Sequence, residues 1–138
     1  MASYDLAFDA SIGVEGDDWE LSKNDNGSWT GGSVNKGTCI GTKYGITATD
    51  LAKILGREPS MQDMKALTIA QVKAFNKPVY WDTIKGDEIK SQDIANKLFE
   101  SGYNAGVETA IGMMQESLGV PVSRNMDDIT IDTLNGLG

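Results

Sequence analysis

A mainly α-helical fold of the α+β class, with a small glycine-rich lobe of short strands, is predicted by two features of this sequence. Apolar residues recur at helical spacing through most of the 138-residue chain. By contrast, eight of the 16 glycines fall between Gly13 and Gly45, among turn-forming residues such as Asp25-Asn26-Gly27. The length fits one compact domain.

Helix periodicity and capping residues predict the individual helices. The predicted helices span residues 4–15, 48–55, 61–66, 69–77, 92–103, 108–118 and 128–136. The residue types suited to the N-caps are Ser3, Thr47, Ser60, Thr68 and Ser91. Pro78 should kink or end the fourth helix, and helical structure can resume through Trp81.

Two or three short strands are predicted in the glycine-rich lobe, among them Trp19–Leu21 and Lys43–Ile46. Residues 1–119 are assigned to one main domain, because the polar break at Gly119–Asn125 is the one candidate boundary in the sequence. Residues 120–138 then either pack on that domain or begin a separate region.

The sequence has no histidine and a single cysteine, Cys39. A Ser-His-Asp triad, a Cys-His pair, a His-ligated zinc site and an internal disulfide are therefore excluded. We predict no metal and no cofactor, so any hydrolysis would depend on carboxylates, hydroxyls or lysines. The formal charge of -8 argues against nucleic acid as a partner.

The N-terminal residues lack a basic region followed by an apolar run, so neither a signal peptide nor a membrane span is predicted. We therefore expect synthesis in the cytoplasm and no stable membrane insertion. We also expect a monomeric protein.

Two carboxylates suggest a catalytic site. Glu15 is predicted at the C-terminal end of the first helix, where the helix dipole and partial burial would raise its pKa. Asp25 follows ten residues later in a polar turn, where a carboxylate is expected to stay ionised. One protonated and one ionised carboxyl group across a cleft is the arrangement of glycosidases. Each residue alone is more often a solvated charge or a turn residue.

Several strings of the sequence are distinctive: Val14-Glu15-Gly16, the run from Asn24 to Gly32, Gly37-Thr38, Gly41-Thr42-Lys43-Tyr44-Gly45-Ile46-Thr47, Tyr80 to Asp87, and Leu98 to Gly106. In this order they resemble glycoside hydrolase family 108, the phage and bacterial N-acetylmuramidases. The resemblance implies a lysozyme-like fold and peptidoglycan glycan strands as substrate. It also implies that Glu15 is the proton donor, although Asp17 replaces the second glycine of the family's Glu-Gly-Gly motif. Residues 120–138 are similar to the start of the family's peptidoglycan-binding-like region.

A looser similarity to T-even phage lysozymes concerns the residues that act together with the proton donor. It implies that Asp25 is the second carboxylate and that Thr42 or Thr47 holds the attacking water.

Candidate sugar contacts come from aromatic and amide side chains, because sugar rings stack on aromatic faces and their hydroxyls need polar partners. These residues are Trp29, Tyr44, Trp81, Tyr103 and Asn104. For Trp81 a core position is as well supported as a cleft position. The family block favours Asn104 as a ligand of the glycan N-acetyl group.

The leading hypothesis is hydrolysis of the β-1,4 bond between N-acetylmuramic acid and N-acetylglucosamine. Two alternatives remain open: a lytic transglycosylase that uses Glu15 alone, and a non-catalytic phage structural or peptidoglycan-binding module. The phage resemblance implies action at the cell wall after holin-type release, or as part of a phage particle. The acidic surface is unfavourable for approach to an anionic wall.

Overall fold

Two compact units make up the protein in this computed structural model, which describes residues 1–11 and 19–137. The helical unit contains the described residues of Met1–Val14 and Asn76–Gly138, and the glycine-rich unit contains those of Glu15–Phe75. The predicted boundary at Gly119 falls inside the helical unit. Within the described ranges, no helix is both long enough and apolar enough to cross a membrane.

Helices dominate the described residues, and the one sheet among them is a single antiparallel pair, which confirms the predicted fold class. The helices are α1 (Tyr4–Ser11), α2 (Ala48–Leu55), α3 (Met61–Ala66), α4 (Ile69–Asn76), α5 (Gln92–Ala105), α6 (Val107–Leu118) and α7 (Asp128–Asn135). The strands are β1 (Trp19–Glu20) and β2 (Thr42–Lys43), with Trp19 opposite Lys43 and Glu20 opposite Thr42. Shorter helical turns occupy Asn26–Ser28, Lys77–Trp81 and Gly86–Glu88.

The element boundaries differ from the sequence prediction at a few places. Helix α1 is seen through Ser11, and the rest of the predicted first helix lies outside the described residues. The second strand was expected to extend to Ile46, but it stops at Lys43. The chain reverses direction at Tyr44-Gly45, so strand pairing cannot continue.

All five predicted N-caps are confirmed by hydrogen bonds, with the Ser3 hydroxyl accepting from the Leu6 N–H at 3.5 Å. The hydroxyls of Thr47, Ser60, Thr68 and Ser91 each accept a bond from the backbone N–H three residues later, at 3.2–3.3 Å. Such caps typically contribute about 1 kcal/mol each. At α3 the cap is reciprocal, because Asp63 also accepts from the Ser60 N–H at 2.8 Å.

Pro78 has the predicted effect on helix α4, which ends at Asn76. Proline has no N–H to donate and its ring obstructs the preceding turn, so it kinks or ends an α-helix. The chain instead passes into a wider π-helical turn over Lys77–Trp81, with the Asp82 N–H bonded to the Lys77 carbonyl at 2.9 Å.

An aromatic cluster forms the centre of the helical unit. Tyr4 on α1 lies 5.7 Å, centroid to centroid, from both Trp81 and Phe99. The Trp81 ring is completely buried, and its Nε1–H donates to Asp87 at 2.9 Å. Its face rests on Gly86, where a Cβ atom would overlap the ring. Trp81 thus occupies the core position, the first of its two predicted alternatives.

Residues after Gly119 pack within the helical unit through the buried side chain of Gln115. Its Nε2 lies 3.0 Å from oxygens of Ser123, Asn125 and Thr130, and its Oε1 accepts from the Arg124 N–H at 2.9 Å. One neutral side chain on α6 therefore holds both the following loop and helix α7.

Candidate active site

Asp25 begins the helical turn Asn26–Ser28 in the glycine-rich unit. Its Oδ1 accepts a hydrogen bond from the Gly27 N–H at 3.1 Å, and the side chain is exposed. Its other carboxylate oxygen accepts no bond from the described residues. Asp25 therefore has one oxygen that orients the carboxylate and one that can meet a ligand.

The N-terminal end of α2 approaches the Asp25 turn at Gly27. A Cβ atom on Gly27 would lie 3.0 Å from Thr47 Cγ2 and 3.6 Å from Asp25 Oδ1. Gly27 therefore allows the close approach of these two predicted site residues. Asp25 and Thr47 therefore flank the same glycine.

The two candidate threonines differ in the state of their hydroxyls. The Thr47 hydroxyl caps α2 through the Asp50 N–H at 3.2 Å and lies 3.1 Å from the Thr49 hydroxyl. The Thr42 hydroxyl forms no hydrogen bond with any described residue, and its side chain is partly exposed. Thr42 is therefore better suited than Thr47 to hold a water molecule.

Tyr44 is displayed by a tight turn between β2 and α2. The turn closes with two hydrogen bonds between Lys43 and Ile46, of 2.8 and 3.4 Å. Tyr44 and Gly45 both have left-handed backbones, with φ of 53° and 77°. This is the backbone of a type I′ turn, whose first central position favours Asn, Asp or Gly. A tyrosine there accepts about 1 kcal/mol of backbone strain.

Trp29 is partly exposed in the same unit. Its indole Nε1–H donates to the Lys23 carbonyl at 3.0 Å, and its backbone bridges to Cys39. The hydrogen bond fixes the orientation of the ring next to the Asp25 turn and leaves part of the ring open to a ligand.

The helical unit carries the other predicted contacts. Tyr103, in the last turns of α5, is partly exposed, and its ring packs edge-on against Tyr80 at 5.1 Å between centroids. Asn104 follows it and is exposed. Trp81 cannot offer a face to a sugar, because its ring is enclosed by the core. Glu15 lies outside the described residues, and so does its predicted place at a helix end.

Among the described residues, no group of three acidic or cysteine side chains is placed to hold a metal ion.

Comparison with known proteins identifies the family. The Glycosyl hydrolase 108 family model matches residues 8–106, a range that contains every predicted site residue. The chain belongs to the glycosyl hydrolase 108 family. It is therefore a glycoside hydrolase, and the family implies peptidoglycan as its substrate class.

The solved structure of SagA from Brucella abortus shares the fold of this family 108 chain, with a TM-score of 0.74 at 21% sequence identity. The likeness covers 98% of this chain and 70% of SagA. No curated protein matches the sequence. The family resemblance and the lysozyme-like fold class expected from the sequence are both confirmed.

Sequence reasoning missed two residues of interest in this family 108 protein. Tyr80 is partly exposed beside Tyr103, whereas its neighbour Trp81 is buried; the π-helical turn decides which ring faces outward. Lys43 is only 7% exposed, although lysine is usually at the surface. The one sequence signal that pointed to Lys43 was its place between Thr42 and Tyr44, two predicted site residues.

Proposed function

We propose that this protein is an N-acetylmuramidase, which hydrolyses the β-1,4 bond between N-acetylmuramic acid and N-acetylglucosamine in peptidoglycan. In this proposal Glu15 is the general acid and Asp25 is the second carboxylate. Thr42 assists by holding the attacking water. Membership of the family over residues 8–106 is the observation on which the proposal chiefly depends.

The chemistry requires two events at one sugar carbon. Glu15 gives its proton to the glycosidic oxygen as the bond from that oxygen to C1 of the muramic acid breaks. Positive charge develops on the ring oxygen and C1, and the negative charge of Asp25 stabilises it. Water then adds its hydroxyl to C1, and its proton passes to a carboxylate.

The surroundings of Asp25 support this role. Its carboxylate is exposed and oriented by the Gly27 N–H, and the turn is held in place by neighbouring bonds. One of these joins Asn26 Oδ1 to the Val34 N–H at 3.0 Å. A preorganised anion loses little energy to reorientation when the sugar becomes cationic.

We propose that the glycan contacts of the glycine-rich unit are the partly exposed rings of Trp29 and Tyr44. In the helical unit, taken by itself, the candidates are the partly exposed rings of Tyr80 and Tyr103 and the exposed amide of Asn104. Trp81 is left out of this set because its ring is buried.

The new chain ends produced from purified peptidoglycan test the proposed function. Mass spectrometry should find reducing N-acetylmuramic acid ends after incubation with the protein. Anhydro-muramic ends would instead indicate a lytic transglycosylase. An absence of new ends, with stable binding to the sacculus, would indicate a phage structural or peptidoglycan-binding module.

Replacing Asp25 with asparagine is expected to lower kcat by about 10²-fold or more, because a general base or charge stabiliser is lost. The fold should persist, since asparagine caps a helical turn as well as aspartate does. Steady-state rates on soluble glycan fragments measure the effect. A variant with wild-type kcat would remove Asp25 from the mechanism and favour the transglycosylase reaction.

Tyr44 can be tested with two substitutions that both remove the ring. Tyr44→Asn and Tyr44→Ala should each raise KM about tenfold, equivalent to about 1.4 kcal/mol of lost sugar contact. Asparagine tolerates a left-handed backbone and alanine does not, so the Asn variant should be more stable by about 1 kcal/mol. Denaturant titration and steady-state kinetics together check both expectations. Equal KM in the wild type and both variants would exclude the ring from the glycan contact.

We further propose that the protein works at the cell wall as a monomer, in a phage lysis system or a phage particle. The support is the resemblance to phage muramidases. With a formal charge of -8, wall binding should strengthen as salt screens repulsion from anionic wall polymers.

A further inference from the structure

A buried cation lies in the middle of the segment that carries Thr42, Tyr44 and Thr47. Lys43 is only 7% exposed, and its Nζ donates a hydrogen bond to the backbone carbonyl of Lys65 at 2.6 Å. A buried ammonium group is costly unless it is bonded, so this contact constrains where the strand can lie.

The acceptor explains why the contact is favourable. Lys65 belongs to the last turn of α3 (Met61–Ala66), where backbone carbonyls have no partner within the helix. The Lys43 ammonium supplies the missing donor from a different element. Its Nζ also lies 5.4 Å from the centroid of the Tyr44 ring, within reach of a cation–π contact.

The same residue closes the turn that follows. Ile46 donates its N–H to the Lys43 carbonyl at 2.8 Å, and Lys43 donates its own N–H to the Ile46 carbonyl at 3.4 Å. The side chain of Lys43 thus fixes the strand to α3, while its backbone fixes both ends of the turn. Thr42 precedes this fixed point and Thr47 follows the turn.

We propose that Lys43 is a positioning residue for the hydrolytic step. By anchoring β2 to the C-terminal end of α3, it holds the Thr42 hydroxyl and the turn that carries Tyr44 in one geometry. This inference rests on the proposed function, because it assigns Thr42 a task in that reaction. In this proposal Lys43 acts through the strand and the turn that it holds.

Lys43→Met tests the proposal, because methionine keeps an apolar stem and removes the ammonium. We expect kcat on soluble glycan fragments to fall about 10–100-fold, since a displacement of about 1 Å in a reacting group can cost 10²-fold. Hydrogen exchange of the Ile46 amide should become faster, because the turn loses its anchor. Assays run well below the unfolding temperature separate this effect from a loss of folded protein.

Lys53→Met is the matched control, because Lys53 is an exposed lysine on α2 of the same unit and takes no part in the Lys43 contacts. This variant should keep wild-type kcat and Ile46 exchange. If Lys43→Met does not fold, Lys43→Gln serves instead, since its shorter stem carries a donor that cannot reach the same carbonyl. A folded Lys43 variant with wild-type kcat would overturn the proposal.

The outcome is distinguishable from failure of the proposed function. If Glu15→Gln is as active as the wild type, the muramidase mechanism fails irrespective of Lys43. If Glu15→Gln is inactive while the Lys43 variants retain full kcat, only the positioning role fails.

Discussion

Glu15→Gln should lower the rate of peptidoglycan cleavage by about 10²–10⁴-fold, the usual contribution of a general acid. Glutamine has nearly the shape of glutamic acid but holds no proton that it can transfer to the glycosidic oxygen. The glycosidic bond would then have to break with an alkoxide as leaving group. Release of reducing ends from purified sacculi, followed over time, measures the loss.

Glu20→Gln is the matched control for this experiment. Glu20 is an exposed carboxylate on β1, five residues further along the chain, and it has no part in the proposed reaction. Its substitution removes the same charge and should leave the rate unchanged. Equal activity of Glu15→Gln and the wild type would contradict the mechanism, and equal loss in both variants would indicate an effect of net charge.

Gly86→Ala should destabilise the protein by about 3 kcal/mol or more, at the upper end of the cost of overpacking a core. The added methyl would overlap the Trp81 ring. The ring cannot move aside easily, because its Nε1–H is bonded to Asp87 and it packs against the rings of Tyr4 and Phe99. Denaturant midpoints of the two proteins measure the difference.

Gly136→Ala provides the comparison within the same unit. Gly136 has a right-handed helical backbone, with φ of -74°, and a Cβ there would meet its nearest atoms at 3.4 Å. Alanine should therefore fit with little change in stability. If Gly86→Ala were as stable as Gly136→Ala, the described packing of Trp81 on Gly86 would be wrong.

Local signals explain what the sequence could predict about the fold. The caps at Thr47, Ser60, Thr68 and Ser91 each depend on residues within one helical turn, so their residue types are sufficient evidence. The same holds for the end of α4 at Pro78, because proline acts on its own turn. The functional class was predicted from the motifs that resemble family 108, because the rules for helix caps and proline carry no information about function.

Long-range packing explains what could not be predicted. The choice between Trp81 and Tyr80 as the outward ring depends on a π-helical turn and on partners far along the chain, such as Phe99. The burial of Lys43 depends on a carbonyl 22 residues away. Contacts between residues so far apart in the chain leave no periodic pattern in the sequence.

The amide of Gln115 limits which residues can replace it on α6 without disturbing the segment that follows. Three oxygens lie 3.0 Å from its Nε2, and one of them, the Asn125 carbonyl, can only accept a hydrogen bond. A glutamate has nearly the same outline, yet its carboxylate would present lone pairs to that carbonyl in a site without solvent. Exchange of one nitrogen for one oxygen, by mutation or by deamidation, would therefore weaken the attachment of the loop before the C-terminal helix without removing any apolar contact.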